Sequence, residues 1–456
     1  MCGLVAIAGD SSAVRLATLA LYALQHRGQE AAGLVSASGG RLHARHGLGL
    51  VADVLPEEAL RALPGRSALG HVRYATAGGS SIQNAQPLVF DHVHGPIAIA
   101  HNGTLTNALT LRRRLEARGA IFRTTSDSEV IVHLIARQKG PVERAIAAAL
   151  RKVEGAYSLL FLTPESLIAA RDPQGFRPLV LGRKGKAFVF ASETTALNQI
   201  GAELVREVEP GEMIVVSKGR LRSTRLSPRP AKRALCVFEQ IYFARPDSSV
   251  FGLSVQATRR QLGRELAKEM FGVEADAVVP VPDSGVPAAI GFAEESGIPF
   301  ELGFVRSHYV GRSFIQPAQG MRDYAVMLKL MPVREVLAGK RIILVDDSLV
   351  RGTTSRRLCR ILRAAGVRAI HMAVSSPPIL SPCYYGIDTP QRKELIAAQR
   401  SLPGIVRFLG VDSLHYLSLE GLLRAAGREG GPKGTDYCTA CFTRRYPTPL
   451  TDLRAA

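Results

Sequence analysis

The stretch at residues 341–355, RIILVDDSLVRGTTS, limits the possible folds of this chain more than any other. Its apolar residues 342–345 are rich in β-branched side chains and predict a buried parallel strand. Asp346 and Asp347 follow at the carboxyl end of that strand, and a loop of small residues then leads into a predicted helix over 353–365. Because the first N–H groups of a helix are unsatisfied and its dipole favours an anion, this arrangement predicts a site for a phosphate and a ribose. A P-loop is excluded, since the chain contains no GxxxxGK[ST] sequence.

This stretch resembles the phosphoribosyl-pyrophosphate (PRPP) motif of type I phosphoribosyltransferases. The resemblance implies that Asp346 and Asp347 hold the ribose hydroxyls and the metal-bound substrate, and that residues 351–354 wrap the 5′-phosphate. The PRPP-binding residues that it implies after the two aspartates are Ser348, Arg351, Gly352, Thr353 and Thr354. The motif indicates the donor of a reaction, whereas the acceptor must come from elsewhere in the chain.

The length of 456 residues exceeds what one hydrophobic core usually supports and predicts two domains. Residues 218–234 are rich in Arg, Ser and Pro, which predicts a boundary at about residue 230 and domains of 1–230 and 231–456. No run of about 18 apolar residues occurs, so we expect no membrane span. The first residues lack the charged and apolar regions of a secretion signal, which predicts a cytoplasmic protein.

The formal net charge of +19 raises the question of nucleic-acid binding. The Lys and Arg residues are scattered along the whole chain, no basic stretch is interleaved with aromatic residues, and Trp is absent. Small polyanionic substrates also benefit from a positive field. We therefore expect no nucleic-acid partner.

Cys2 lies just before a predicted strand at 4–7 and directly follows the initiator methionine. Trimming of Met1 would leave Cys2 with a free α-amino group beside its thiol. A deprotonated thiol is a good nucleophile, and an α-amine with a pKa of about 8 can serve as its base. By position alone, a cysteine that merely follows the initiator explains this residue equally well.

Four further blocks, taken with Cys2-Gly3, resemble the N-terminal-nucleophile glutamine amidotransferase domain. They are HRGQEAAGL at 26–34, GHVRYAT at 70–76, HNGTLTN at 101–107 and TSDSE at 125–129. The resemblance implies that Cys2 attacks the side-chain amide of glutamine, while Asn102 and Gly103 form the oxyanion hole. A preorganised donor of that kind stabilises a tetrahedral transition state by about 3–4 kcal/mol.

The same resemblance implies the residues that bind glutamine. Arg73 pairs with the α-carboxylate and Asp127 with the α-ammonium group, and Arg27 lies in the closing part of the site. An amino-acid ligand needs one cation and one anion at opposite ends, and arginine offers a bidentate fork to a carboxylate. Beside Asp127, Ser126 and Glu129 fit a capping box in front of an apolar helix at 130–136.

The remaining patterns complete the predicted fold class, which is α/β and α+β in two domains. Between residues 155 and 219, short apolar runs separated by turn signals predict successive strands. They fit the layout that the amidotransferase resemblance implies, an N-terminal-nucleophile αββα sandwich. The second half alternates helix and strand, which predicts a parallel sheet. By resemblance this is the parallel sheet of a type I phosphoribosyltransferase.

A second small-residue loop follows a predicted strand at 277–281. By the phosphoribosyltransferase resemblance this loop meets the pyrophosphate and Mg²⁺, with Ser284 contributing an oxygen beside Asp346 and Asp347. The long segment at 303–331 resembles the flexible lid that closes over PRPP, with Lys329 in contact with the pyrophosphate. A lid excludes water, which would otherwise hydrolyse an oxocarbenium-like centre.

Four of the six cysteines form a candidate metal site, namely Cys236, Cys383, Cys438 and Cys441. Their spacing fits a tetrahedral structural zinc or a [4Fe–4S] cluster, and a third interpretation is four buried free thiols. The arrangement resembles the iron–sulfur subgroup of glutamine PRPP amidotransferases, which favours the [4Fe–4S] cluster over zinc. Cys359 falls inside a predicted helix and is expected in the core.

Together the two halves resemble the glutamine PRPP amidotransferase family over nearly the whole chain. The resemblance implies that ammonia released at Cys2 displaces pyrophosphate from C1 of PRPP, giving 5-phosphoribosylamine in the first committed step of purine synthesis. It also implies a sealed passage for ammonia and a homotetramer inhibited by purine nucleotides. Two alternatives stay open: an amidotransferase with a different acceptor, and a non-catalytic regulator that binds PRPP as a signal.

Overall fold

A computed structural model describes residues 1–74, 81–227, 231–306, 330–389, 391–427 and 431–454. Most of the predicted lid lies outside these ranges, and so does Lys329. The helices within these ranges include none that is long and apolar enough to cross a membrane.

Two sheets are built from the strands described before residue 228. In chain order these strands are β1 Gly3–Ala8, β2 Ala31–Ser38, β3 Arg41–Leu48, β4 Ser67–Arg73, β5 Leu88–His92, β6 Gly95–Leu105, β7 Gly155–Leu162, β8 Ser166–Arg171, β9 Val180–Lys184, β10 Ala187–Ala191, β11 Glu203–Glu207, β12 Glu212–Ser217 and β13 Arg220–Arg225. The first sheet has the order β11-β9-β10-β1-β4-β2-β3, and the second has the order β13-β12-β8-β7-β6-β5. Neighbouring strands in both sheets are antiparallel.

The two sheets pack face to face because alternate residues of a strand point to opposite sides. In β1, Leu4 and Ala6 join the core between the sheets, whereas Val5 and Ile7 join a core beneath helix Ala13–Ala23. The outer face of the second sheet is covered by helices Ala108–Glu116, Ser128–Ala136 and Val142–Leu150. The first half is therefore the predicted αββα sandwich. Its shorter helical segments are Gln25–Arg27, Val51–Val54, Glu57–Leu60, Ile82–Asn84 and Thr194–Gln199.

One local prediction is wrong at the start of helix Ser128–Ala136. The helix begins two residues before the predicted 130–136 segment, and the predicted capping box does not form. The carboxylate of Glu129 instead accepts hydrogen bonds from the backbone N–H groups of Arg123 and Thr124, at 2.8 and 2.7 Å. This carboxylate therefore ties the helix to the loop before it, because that loop folds back over the first turn.

The second half is organised around a parallel sheet, as predicted. Its strands in chain order are β14 Leu235–Cys236, β15 Ser249–Val250, β16 Leu253–Ser254, β17 Ala277–Pro280, β18 Phe304–Arg306, β19 Leu330–Pro332, β20 Arg341–Asp346, β21 Ala369–Val374, β22 Ser413–Tyr416 and β23 Tyr437–Cys438. The parallel sheet has the order β17-β20-β21-β22. Its second strand, β20, contains the apolar run that the sequence predicts as a buried strand.

Helices cover both faces of this sheet, so β20 is apolar on both sides. Ile343 and Val345 pack towards helices Val255–Glu269 and Val286–Ser296, whereas Ile342 and Leu344 pack on the opposite face. That opposite face is covered by helices Thr353–Ala364 and Leu402–Leu409. The shorter helical segments of this half are Glu239–Phe243, Arg334–Leu337, Arg392–Glu394, Ile396–Gln399, Leu419–Ala426, Gly434–Asp436, Ala440–Thr443 and Thr451–Arg454.

The two halves are joined by contacts from the end of the chain. The carboxylate of Asp452 accepts hydrogen bonds from the N–H groups of Leu109 and Thr110, at 2.8 and 2.9 Å, which begin helix Ala108–Glu116. An acceptor at a helix N-terminus satisfies donors that the helix itself cannot. The last described residues therefore dock on the first half.

Candidate active sites

Cys2 lies at the amino end of β1, between the central strands of the first sheet. Its backbone N–H donates to Oδ1 of Asn102 at 3.1 Å, and its carbonyl accepts from Nε of Arg27 at 3.0 Å. Its Sγ lies 3.8 Å from the carbonyl oxygen of Tyr74. Burial lowers the pKa of the Met1 α-amino group to about 6. The Met1 α-amine is therefore mostly neutral near pH 7.

Asn102 and Gly103 stand beside Cys2 on β6. The Asn102 side chain is fully buried, and its Nδ2 has no hydrogen-bond partner within the described ranges. A buried donor left unpaired costs about 1–3 kcal/mol, which argues for a ligand that accepts from it. Gly103 has a φ of +149°, and a Cβ there would lie 2.0 Å from the carbonyl oxygen of Ala156. The position therefore excludes any side chain.

Asp127 forms an ion pair with His101, a residue for which the sequence predicted no role. His101 Nδ1 lies 3.6 Å from Oδ1 of Asp127, and Oδ2 of Asp127 accepts from the N–H of Leu105 at 3.0 Å. Burial opposes both charges and is the largest single cause, but the charge of the partner and the hydrogen bonds to each group together outweigh it, so the pKa of Asp127 is lowered and the pKa of His101 is raised. Asp127 is thereby held ionised, as an ammonium group requires.

The two predicted arginines differ in their surroundings. Arg73 ends β4, and its Nη1 lies 3.5 Å from Oε2 of Glu30. Arg27 is fully buried beneath Cys2, where it pairs with Glu193 and, at 2.8 Å, with Glu239. The sequence did not predict either carboxylate as a site residue. The available signal was an acidic side chain next to an apolar run, as at VFEQI around Glu239.

The second site lies at the carboxyl end of β20, where the two predicted aspartates are both buried. The N–H of Asp347 donates to Oδ1 of Asp346 at 2.9 Å, and the side chain of Ser284 hydrogen-bonds to Asp347. Burial raises the pKa of both carboxyl groups, and the charge of Asp347 raises the pKa of Asp346 further. Two close carboxylates and a hydroxyl are oxygen ligands that suit Mg²⁺, and a cation would relieve their repulsion.

The loop after these aspartates leads into helix Thr353–Ala364, whose first turn is exposed to solvent. Gly352 precedes the helix with a φ of +72°, and a Cβ on it would lie 2.8 Å from Cδ1 of Ile396. Thr353 and Thr354 are exposed on the first turn, where N–H groups are available to an anion. Arg351 is exposed and pairs with Glu394 at 3.1 Å. A phosphate in this loop would compete with Glu394 for that guanidinium.

Two tyrosines, one from each half, are electrostatically coupled to each other. Tyr74 directly follows β4 next to Cys2, and Tyr242 belongs to the turn Glu239–Phe243 of the second half. Burial raises the pKa of Tyr242, and the charges of Asp347, Asp346 and Tyr74 raise it further. The phenol of Tyr242 therefore lies within electrostatic reach of both sites.

The four predicted metal-site cysteines come together although they lie on three segments. Cys236 of β14 is opposite Cys438 of β23 in a parallel pair, and all four cysteines line one cavity with aromatic side chains. Burial raises the pKa of the Cys236 thiol to about 11 and that of Cys441 well above its ordinary value. Within the described ranges, no three Cys, His, Asp or Glu groups converge as a single metal ion would require. Cys359 is in the core, as predicted.

Comparison with known proteins supports this two-site arrangement. A glutamine amidotransferase domain model matches residues 71–199, and a phosphoribosyl transferase domain model matches residues 255–381. Amidophosphoribosyltransferase 1, chloroplastic, of Arabidopsis thaliana is 51% identical over 99% of this chain and 80% of its own length. Amidophosphoribosyltransferase of Bacillus subtilis is 48% identical over 98% of this chain and 94% of its own length. The solved structure of glutamine PRPP amidotransferase from B. subtilis, complexed with ADP and GMP, superposes with a TM-score of 0.93 at 46% identity and 98% coverage of both chains.

Proposed function

The chain belongs to the amidophosphoribosyltransferase family, and from that premise we propose which residues perform each part of the reaction. The enzyme takes ammonia from glutamine and transfers it to PRPP, giving glutamate, 5-phosphoribosylamine and pyrophosphate in purine biosynthesis. The observation that carries the proposal is the buried Nδ2 of Asn102 beside Cys2, which has no hydrogen-bond partner among the described residues, in the same chain as the buried aspartate pair.

In the first site, the thiolate of Cys2 attacks the side-chain amide carbon of glutamine, with its α-amine as the base once Met1 is removed. The oxygen that becomes negative accepts hydrogen bonds from Nδ2 of Asn102 and the N–H of Gly103. Ammonia leaves, a thioester to Cys2 remains, and water releases glutamate from it. Oδ1 of Asn102 accepts from the Cys2 N–H, which leaves Nδ2 of the same amide as the donor for this oxygen.

Glutamine is oriented by a cation and an anion at its α-carbon. Arg73 is at the end of a buried strand and offers its fork to the α-carboxylate. Asp127 is kept ionised by His101 and pairs with the α-ammonium group. Unlike Arg73 and Asp127, Arg27 is enclosed beneath Cys2 and donates a hydrogen bond to the carbonyl of that residue.

In the second site, Asp346, Asp347 and Ser284 would hold Mg²⁺, which when bound neutralises charge on the pyrophosphate leaving group. The two aspartates also grip the ribose hydroxyls, and Ser348 donates to Oδ1 of Asp347 at 2.5 Å. Residues 351–354 bind the 5′-phosphate at the helix N-terminus. Ammonia then forms a bond to C1 as the bond from C1 to pyrophosphate breaks. Lys329, outside the described residues, is the proposed pyrophosphate contact.

Two other functions are less well supported. An amidotransferase with a different acceptor does not explain a phosphoribosyl transferase domain at 255–381. A regulator that only binds PRPP does not explain the buried, unpaired donor of Asn102 next to a cysteine. Both alternatives predict reaction products that differ from those of the proposed reaction.

The test is product analysis with glutamine, ammonia and PRPP, each omitted in turn, for the parent and Cys2→Ser. We expect Cys2→Ser to abolish glutamine-dependent synthesis, because a serine hydroxyl is a much weaker nucleophile at neutral pH. Ammonia-dependent synthesis should be largely retained, since the second site is unchanged. Equal loss of both activities in a folded variant would contradict the two-site assignment.

We also propose that Cys236, Cys383, Cys438 and Cys441 hold a [4Fe–4S] cluster. In support, the four thiols line one cavity, and four thiolates can ligate either a [4Fe–4S] cluster or a zinc ion. The resemblance to the iron–sulfur subgroup favours the cluster. The cavity is remote in sequence from Cys2, so the role is structural. Protein purified anaerobically should be brown and sensitive to oxygen, and colourless protein with one zinc per chain would exclude the cluster.

The assembly and location of the enzyme are also proposals. We expect a homotetramer inhibited by purine nucleotides, and a cytoplasmic enzyme, although plant relatives are named as chloroplastic. Light scattering of the purified protein, with and without purine nucleotides, tests the first of these. Fractionation of the source cells tests the second.

A further inference from the structure

Arg27 connects the nucleophile to the second half of the chain through a buried ion pair. Its Nη1 and Nη2 donate to the two carboxylate oxygens of Glu239, at 3.1 and 2.8 Å, in a bidentate fork. Its Nη1 also donates to Glu193, and its Nε donates to the Cys2 carbonyl at 3.0 Å. Arg27, Glu193 and Glu239 have fully buried side chains. The guanidinium is therefore oriented by one carboxylate from each half.

Glu239 is itself held in place by residues of the second half. It begins the one-turn π-helix Glu239–Phe243, a rare conformation that is often found at functional sites. The buried guanidinium of Arg259 donates from Nε to the carbonyl of Gln240 at 2.9 Å and from Nη2 to the carbonyl of Ala244 at 2.8 Å. These two bonds bridge both ends of the turn. The backbone that carries Glu239 is thus held by the second half, 212 residues along the chain from Arg27. The Glu239 carboxylate also lies 3.5 Å from Nη1 of Arg177, a buried arginine of the first half.

Arg259 also acts electrostatically on the donor site. Burial raises the pKa of Asp347, while hydrogen bonds from Ser284 and Ser348 and the charge of Arg259 lower it. The same guanidinium therefore contacts the turn that carries Glu239 and acts electrostatically on an aspartate of the PRPP site. A set of contacts runs from Arg259 through the π-helical turn, Glu239 and Arg27 to the carbonyl of Cys2. Asp347 is linked to this set through the charge of Arg259.

We propose that Glu239 is a positioning residue for the glutamine reaction, acting through Arg27 on the backbone of Cys2. This inference rests on the proposed role of Cys2 as the nucleophile. Without the Glu239 charge, Arg27 would be buried against Glu193 alone, and its bond to the Cys2 carbonyl would no longer be fixed in direction. A displacement of about 1 Å at a reacting group lowers a rate by about 10²-fold. The substrate grip by Arg73 and Asp127 involves no atom of Glu239.

The test is Glu239→Gln, which keeps the shape of the side chain and removes its charge. We expect kcat for glutamine-dependent synthesis to fall about tenfold or more, with little change in KM for glutamine and with ammonia-dependent synthesis retained. The matched control is Glu265→Gln, a buried carboxylate of the second half that pairs with Arg424 at 2.9 Å away from Cys2. The control should keep both activities.

A double variant separates action through Arg27 from a general effect on folding. If Glu239 acts through Arg27, then Arg27→Gln/Glu239→Gln should be no slower with glutamine than Arg27→Gln alone. This double variant removes one positive and one negative buried charge, so that the buried Glu193 and Arg177 remain as opposite charges. It therefore stays informative if Glu239→Gln does not fold. A parent-like kcat for Glu239→Gln, or losses that multiply in the double variant, would overturn the inference. Failure of Cys2→Ser to abolish glutamine use would instead overturn the proposed function.

Discussion

At the scale of single residues, the proposed glutamine reaction depends on a few buried polar groups, each with a defined hydrogen-bond or ion-pair partner. Asn102 divides its amide between two tasks, since Oδ1 holds the Cys2 N–H and Nδ2 is left for a ligand. His101 and Asp127 each favour the charged form of the other although both are buried, so the pKa of His101 is raised and that of Asp127 is lowered. These groups belong to motifs seen in the sequence, but the role of each one depends on its distances to its partners in the folded protein.

The His101–Asp127 pair predicts a pH dependence of stability. The raised pKa of His101 contributes stability that is complete below its unfolded pKa of about 6.5 and is lost as pH rises through the folded pKa. The lowered pKa of Asp127 contributes stability above about pH 4, which is lost only as pH falls through the folded pKa. The contribution of the pair is therefore largest between about pH 4 and 6.5.

The measurement is the free energy of unfolding in urea of the parent and of His101→Gln. We expect the variant to be less stable by about 2 kcal/mol or more near pH 6, because Asp127 loses its buried partner. Near pH 9 the difference should shrink, since His101 is then neutral in the parent as well. A difference that is constant across this range, or that grows with pH, would contradict the ion pair.

At the scale of helices and strands, turn geometry decides where ligands can approach. The loop from Asp347 to helix Thr353–Ala364 needs a residue with positive φ directly before the helix, and Gly352 supplies it. The predicted strand and helix around this loop are both confirmed. They could be predicted because the pattern of apolar residues that defines them lies within each segment. The capping box at Ser126 and Glu129 failed for the converse reason: a loop folded back and offered Glu129 other donors.

Gly352→Ala tests the loop that we propose binds the 5′-phosphate. The added Cβ would meet Ile396 and would need a left-handed backbone, so we expect the loop to shift. The KM for PRPP should rise about tenfold, which corresponds to about 1.4 kcal/mol of lost binding, with either ammonia or glutamine as the nitrogen source. Steady-state kinetics with both sources measure this effect.

The matched control for that substitution is Gly410→Ala. Gly410 has nearly the same φ, +74° against +72°, and an added Cβ there meets no atom within 4 Å. It should lower stability by about 1 kcal/mol through backbone strain alone, without changing the KM for PRPP. Equal changes in KM for the two variants would show that the effect of Gly352→Ala is not local to the loop.

At the scale of the whole molecule, the C-terminal segments hold the two halves together. The carbonyl of Tyr385 accepts two hydrogen bonds from the buried guanidinium of Arg177, at 2.9 and 2.6 Å. The ring of Tyr385 stacks on Phe176 with centroids 4.2 Å apart. Tyr385 lies two residues after Cys383, so the proposed cluster and this junction share one loop.

Removal of one proposed cluster ligand should therefore loosen the junction. We expect Cys383→Ser, prepared anaerobically, to lose bound iron and to unfold about 5 °C or more below the parent, because metal binding contributes directly to folding. Cys359→Ser is the control, since Cys359 is buried outside the cavity. Iron analysis and calorimetry distinguish the outcomes, and unchanged iron content in Cys383→Ser would remove Cys383 from the ligand set.

The sequence by itself predicted the chemistry of each site, because the residue types concerned lie in short local motifs. Two examples are the short motifs Asn102-Gly103 and Asp346-Asp347-Ser348. Their side-chain types and the backbone conformation they favour follow from the neighbouring residues alone. Only the tertiary structure decided how the sites are supported. Arg27 meets Glu193 and Glu239, which lie 166 and 212 residues away. Burial and ion pairing arise from contacts between distant segments, and no local pattern encodes them.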